Sequence, residues 1–290
     1  MTTTQEKAAR EKSEAKSEHG KSELKSELDG SALRTWRILL PAIVAMAATA
    51  LWELAVRLYD IQPYVLPGPL AVLRTLISDW DVLSQSLLTT LTTTVEGFAA
   101  AAIGGVALAL LFNLSRLLEY SLFPYAVILQ VTPVIAIAPL LLIYLPQQTA
   151  VIVCAWIVAF FPVLSNTTLG LNSVDRNLAG LFQLYGASRL QTLRYLKLPA
   201  ALPYILGGLR IAGGLSLIGA VVAEIAAGTA GAGSGLAYRI AESGYRLNIP
   251  RMFAALFLLS LAGIVIYALL ALISHLVLRR WHESALGKDN

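Results

Sequence analysis

A chain of 290 residues that is 57% hydrophobic and 14% charged, with a mean hydropathy of +0.67, is not an ordinary soluble domain, since such domains carry about 25% charged residues. The net charge of +4 matters less than where the charges lie, and the excess apolar mass falls in long runs, the signature of membrane-spanning helices. A single cysteine, Cys154, excludes an intrachain disulfide, and three scattered histidines (His19, His275, His282) give no metal-ligand spacing.

Residues 1–33 are charged and of low complexity, with Lys-Ser-Glu recurring at Lys12, Lys16, Lys21 and Lys25. Acids and bases nearly balance there and almost nothing apolar is present to bury, so a disordered tail is expected. A secretory signal is not expected, because the polar lead is long and no small-residue cleavage site follows the first apolar run. From residue 34 onward the chain reads as one membrane domain, with Arg34 and Arg37 anchoring the first span.

The first span is expected over 38–59, where Glu53 and Arg57, one helical turn apart, can neutralise each other. After the Val65–Pro69 breaker, residues 70–77 suit a short amphipathic helix. A second span over 87–111 opens with a threonine cluster and carries Glu96, and its small residues at 99–105 permit close helix approach. Residues 113–120, with Arg116, read as a short turn. A third span over 122–145 contains Pro124, Pro133 and Pro139 and must kink. A fourth runs over 149–171, a fifth over 204–227 and a sixth over 252–278, with a glycine-rich segment at 228–235. The expected fold class is therefore an all-α membrane protein with about six transmembrane helices.

Between the fourth and fifth spans lies the longest polar, basic passage, Ser173 to Pro203. Asp175 can cap a first helix that Gly186 stops, and Ser188 with Gln191 forms a capping box for a second. That second helix is expected to end before Pro199, because proline disfavours helical geometry in the residue preceding it. Leu190, Leu193 and Leu196 give it an apolar side, with Arg189, Gln191 and Arg194 elsewhere. A helix–glycine–helix elbow between spans suits a docking handle for a partner outside the membrane.

The run Tyr185-Gly186-Ala187-Ser188-Arg189, followed by Lys197-Leu198-Pro199-Ala200-Ala201-Leu202-Pro203, resembles the cytoplasmic "EAA" loop of ABC-importer permeases. The similarity extends from Val65-Leu66-Pro67-Gly68-Pro69 through the last span and looks closest to the sulfonate/taurine/nitrate branch, which also includes importers of thiamine-precursor pyrimidines. The resemblance implies a type I importer permease fold with both termini cytoplasmic. It also implies an inner-membrane location, two copies (or one with a near-identical partner) forming the path, and two ATP-binding subunits docked at the elbows. An external substrate-binding protein would deliver solute to the outer segments, 63–84 and 229–251. Contact with the ATPase then falls on Gly180, Leu181, Phe182, Tyr185, Gly186, Ala187, Ser188, Arg189, Leu198 and Pro199. The family's Glu-Ala-Ala falls on Gly180-Leu181-Phe182, so its acidic residue is missing here.

Charge placement agrees with that orientation. With the amino terminus inside, the inner segments hold Arg34, Arg37, Arg116, Arg176, Arg189, Arg194, Lys197, Arg279 and Arg280, against Arg74, Arg239, Arg246 and Arg251 outside. The chain has no phosphate cradle: residues 228–235 are glycine-rich, but no lysine follows to reach a nucleotide. No cofactor is expected on this chain, and ATP with magnesium belongs on the partner ATPase. No catalytic residue is assigned, and neither nucleic acid nor metal is an expected partner, whereas membrane lipid is. Glu96 and Glu224 are the candidates for the path or a gate, with an interhelical hydrogen bond or a gate favoured for Glu224 over direct substrate contact. Arg210 lies about 21 Å along the same helix from Glu224, too far to pair with it. His275 reads as a lipid-interface or packing residue and Cys154 as a small buried apolar one.

The function these readings support is uptake of a small solute, sulfonate-, taurine- or nitrate-like, or alternatively a pyrimidine, riboflavin or similar heterocycle. A secondary transporter, which typically carries inverted repeats and several midplane charges, and a non-transporting scaffold are the rival classes. An intramembrane enzyme lacks its motifs here.

Overall fold

The computed structural model describes residues 39–228 and 233–279. The 1–33 tail, Arg34, Arg37, Arg280, His282 and half of the glycine-rich segment (229–232) lie outside them. The described residues are helical throughout, with no strand. Among the described residues five helices are long and apolar enough to cross a membrane, or six if one sharply bent pair is a single span.

Among the described residues, 39–62 and 68–70 form one unit and the rest another. The first unit contributes α1, Leu39–Leu58, an apolar helix with exposed faces. Its Arg57 Nε donates to Glu53 Oε1 at 2.7 Å, so the two charges do neutralise each other within one helical turn. Glu53 also accepts from the Leu70 amide at 3.4 Å.

The second unit is built on α3 (Trp80–Leu114), α6 (Gln147–Leu171) and α9 (Leu198–Ala227), preceded by the short α2 (Pro69–Ser78). Small residues bring these three together. A Cβ on Gly105 of α3 would lie 2.9 Å from Val163 of α6, and one on Gly219 of α9 would lie 2.7 Å from the Cys154 carbonyl oxygen. Backbones therefore touch where lipid supplies no hydrophobic drive and close packing must hold helices together. Cys154, Ala155, Ala159, Val163 and Leu164 are fully buried along α6, which is the central helix of the core.

Several boundaries differ from expectation. The second span begins at Trp80, seven residues early, with the Asp79 backbone carbonyl accepting from the amides of Val82 and Leu83 in its first turn. The 113–120 turn shrinks to Ser115, whose side chain accepts from the Leu118 amide and starts α4 (Arg116–Val131) at once. The third span is two helices, α4 and α5 (Val134–Tyr144), bent by 100°. Of its three prolines only Pro133 breaks the chain, with Thr132 before it held extended at ψ 123°. Pro124 and Pro139 remain inside helices. In the last loop, α10 (Leu236–Tyr245) packs under α11 (Ile249–Leu278), an element that hydropathy alone does not show.

The largest departure is at the elbow. After α7 (Arg176–Leu184), the second elbow helix does not stop before Pro199. α8 (Arg189–Thr192) runs through one π turn, Leu193–Lys197, into α9, and the whole of Arg189–Ala227 is one helix of 39 residues. In the widened turn the Leu198 amide donates to the Leu193 carbonyl. Leu198 stays helical at φ −65° and ψ −44°, and Pro199, with no amide to place, follows in the first turn of α9. At 1.5 Å per residue such a rod is about 58 Å long, against about 30 Å of hydrocarbon. Its first turns must therefore project beyond the lipid.

Candidate functional site: elbow, broken span and buried carboxyl

The elbow is set locally by its caps. Asp175 accepts from the Asn177 amide at 2.6 Å and starts α7. Gly186, at φ +69°, takes the left-handed position that ends it. The Ser188 amide donates to Gln191 Oε1 at 2.7 Å while the Gln191 amide donates to Ser188 Oγ at 3.3 Å, a complete capping box. Around the glycine the chain presents apolar groups to solvent, with Leu184 86% and Tyr185 83% exposed. A shallow concavity of about 550 Å³ is lined by Arg176, Asn177, Gly180, Leu181, Gln183 and Leu184. Space around Gly180 is open, since a Cβ there would meet nothing within 4 Å.

At the opposite end, Glu224 is 4% exposed and its Oε2 accepts from Thr90 Oγ1 at 3.0 Å and from the Ala237 amide at 3.1 Å. Thr90 Oγ1 in turn accepts from the Leu236 amide at 2.8 Å. One carboxyl group and one hydroxyl thus satisfy the first amides of α10 and tie that helix to α3 and α9. Arg239 extends the tie, donating to Ser86 at 3.1 Å and pairing with Glu242 at 2.8 Å. Arg246 also pairs with Glu242, at 3.1 Å, and Arg251 pairs with Asp79. Sequence spacing could not have found these partners, because Thr90 and Glu224 are 134 residues apart.

Glu96 is elsewhere: it is exposed on α3, with no ion pair or hydrogen bond among the described residues. Arg210 lies over the Tyr267 ring of α11, 6.0 Å from its centroid. His275 is exposed near the end of α11 and Cys154 is fully buried. No group of three or more metal-ligating side chains occurs among the described residues.

The break between α4 and α5 opens a groove of about 440 Å³ against α6 and α9. Gln130 and Thr132 supply its polar side chains, while Ile135, Val158, Leu215 and Ile218 are among the apolar ones, and no charged residue lines it. Thr132 Oγ1 is already engaged, donating to the Ile128 carbonyl at 2.6 Å. Neither Glu96 nor Glu224 reaches the groove. A second feature runs beside it. Tyr204, Gly207, Ile211, Gly214, Ile218, Val221 and Ile225 recur at alternating three- and four-residue steps along α9. Ile211, Ile218 and Ile225 are 53%, 56% and 51% exposed, and a Cβ on Gly207 or Gly214 would meet nothing within 4 Å.

The family model for the inner-membrane component of binding-protein-dependent transport systems matches residues 101–280, more than half of the chain. The formylaminopyrimidine transport permease ThiX of Halalkalibacterium halodurans is 32% identical over 247 residues, covering 84% of this chain and 97% of that protein. The riboflavin transport system permease RibX of Chloroflexus aurantiacus is 34% identical over 255 residues, covering 86% and 92% respectively. Among solved structures, an amino acid ABC transporter determined with histidines superposes with a TM-score of 0.57 at 20% identity, over 69% of this chain and 96% of that one. The chain therefore belongs to the permease subunits of ABC importers, and its helices adopt their fold.

The Glu224 tie makes a specific prediction for stability. Thr90→Val and Glu224→Leu each remove two buried hydrogen bonds, one of them shared, and should each cost about 2 kcal/mol or more. Because both act on one network, the double variant should cost little more than the worse single one. Thermal unfolding of the four detergent-solubilised proteins measures this, and strict additivity would contradict a shared network.

Proposed function

We propose that two copies of this chain form the membrane path of a bacterial inner-membrane importer, driven by two separate ATPase subunits seated on the elbows and supplied by an external binding protein. The observation that carries the reading is the unbroken helix from Arg189 to Ala227. A push on the elbow cannot be absorbed in a loop and must move the span itself. ATP-driven closure of the ATPase pair then becomes rotation of α9 in each copy, which opens the path to one side or the other.

The α9 stripe supports the pairing of copies. Apolar and glycine positions repeating every 3.5 residues form the seam of two packed helices, and exposed glycines let backbones approach. Ile218 belongs to both the stripe and the groove lining, so two copies joined here would bring their grooves to one shared axis. Glu96 also fits, because an exposed carboxylate in an apolar span needs a partner chain or a water-filled path.

Charge placement supports a cytoplasmic elbow. At the far end Arg239, Arg246 and Arg251 are paired with Glu242 and Asp79, whereas Arg116, Arg176 and Arg189 at the elbow end have no ion pair among the described residues. Arg74 is the exception at the far end, so cations without an ion pair are concentrated at the elbow.

The groove favours the heterocycle alternative over small anions. A sulfonate or nitrate entering it would shed water with no cation to meet it, a cost of several kcal/mol. An uncharged, hydrogen-bonding ring system could use Gln130 and the open backbone of the α4–α5 break while packing on the surrounding apolar side chains.

Two experiments test the reading. Gly186→Asp forces a side chain onto a left-handed residue at the elbow, where a Cβ meets no neighbour, so the protein should still insert. ATP hydrolysis by the assembled complex should continue while uptake falls at least about tenfold, and unchanged uptake would remove the elbow from the mechanism. For the substrate, the binding protein that serves this permease should be stabilised against heat by aminopyrimidines or flavins and not by taurine, sulfonates or nitrate. Stabilisation by the anions alone would overturn the heterocycle assignment.

A further inference from the structure

A second cleft lies at the elbow end of the bundle, away from both the groove and the α9 stripe. It has two lobes, about 370 and 650 Å³, which share Asn113, Arg116 and Lys197. The elbow-side lobe adds Arg189, so it is lined by three cations and no carboxylate, while the inner lobe holds Glu119 as its one acid. None of the three cations forms an ion pair among the described residues. Lys197 Nζ donates to the neutral Asn113 Oδ1 at 3.1 Å, and Arg116 and Arg189 have no hydrogen-bond partner there at all. The inner lobe also presents the Thr168 hydroxyl, buried without a hydrogen-bond partner among the described residues, and the amide of Asn172.

Cations gathered around one cleft repel each other, and the half-buried Lys197 also forgoes part of its hydration, while Glu119 in the inner lobe is the one acid to offset them, so an anion among the cations is favourable. We infer that this cleft binds a phosphate-class oxyanion, held by Arg116, Lys197 and Arg189 with Asn113, Thr168 and Asn172 as neutral donors. A phosphate offers several acceptor oxygens to arginine forks and a lysine ammonium, which suits this donor set better than a single carboxylate does. The anion would bridge the α3–α4 turn, the end of α6 and the π turn where the elbow becomes α9. Its occupancy would fix the root of the lever. The inference rests on this cleft alone and does not require the substrate assignment.

Two sources supply that chemistry: the headgroup of an anionic phospholipid at the membrane edge and a free phosphate compound in solution. The test uses the full chain co-purified with its ATPase subunits, in lipid nanodiscs of phosphatidylcholine alone or mixed with phosphatidylglycerol, and in the former with inorganic phosphate or pyrophosphate added. Heat stability should rise with phosphatidylglycerol if the lipid is the ligand, or with the soluble anions if they are. In Arg116→Gln with Lys197→Gln the concentration needed should increase at least about tenfold, while Arg116→Lys should restore most of the effect. Arg74→Gln, a cation outside the cleft, should leave it unchanged. Arg116 is exposed and unpaired, so its replacement leaves folding intact. No rise with any of the anions, or an equal rise in the cleft variants and the wild type, would overturn the inference.

Discussion

The structure turns on how a helix passes a proline without stopping. Pro199 has no amide to give and its ring crowds the carbonyl four residues back. Ordinary helical geometry would bend or end there. The π turn at Leu193–Lys197 widens the spiral just ahead of it, so the Leu198 amide reaches the Leu193 carbonyl and the axis continues. The consequence is mechanical. The elbow is one end of the helix whose other end carries Glu224 into the tie with α3 and α10. A rod about 58 Å long therefore connects the proposed ATPase contact to the far side of the membrane.

The two ends of that rod are treated differently by chemistry. At the far end most of the polar demand around α10 is met internally, its first amides by Thr90 and Glu224 and its arginines by Glu242 and Ser86, while Glu224 Oε1 and the Ser243 hydroxyl are left without a partner among the described residues. That end is locked. The elbow end has exposed leucine and tyrosine around Gly186 and cations without ion pairs at Arg116, Arg176 and Arg189. Both ends expose apolar side chains, Tyr245 and Leu247 at the far one, but cations without an ion pair gather at the elbow, the pattern of a part built to receive a partner there.

Much of the elbow was legible from residue type and spacing alone. Asp175, Gly186 and the Ser188–Gln191 box act over two to three residues, and local hydrogen-bond rules decide them. Spans were visible because twenty apolar residues in a row have few other uses. The continuity through Pro199 was not legible, because the rule that a proline ends the preceding helix holds only while the helix stays α. Nor was the break at Pro133, which three prolines in one span announced without saying which would act. The partners of Glu224 were out of reach, being set by packing of helices far apart in sequence. The threonine cluster at 89–94 was the available signal: hydroxyls in an apolar span need an acceptor, and most bond back to their own helix, as Thr92 and Thr93 do. α10 escaped because a ten-residue amphipathic helix after a glycine run looks like loop.

The central claim is that elbow and span move as one body, and a distance inside one copy tests it most directly. Spin labels placed at Arg189 and Ile225, in a background with Cys154 replaced by alanine, would be measured by double electron–electron resonance in the assembled complex. Labelled and unlabelled copies are mixed so that only pairs within one chain are read. Nucleotide-free and ATP-trapped complexes should give the same distance within a copy, while in a second sample, labelled at Ile225 alone on every copy, the distance between paired copies changes. A distance between Arg189 and Ile225 that shifts with nucleotide would show the π turn acting as a hinge, and would contradict a rigid lever.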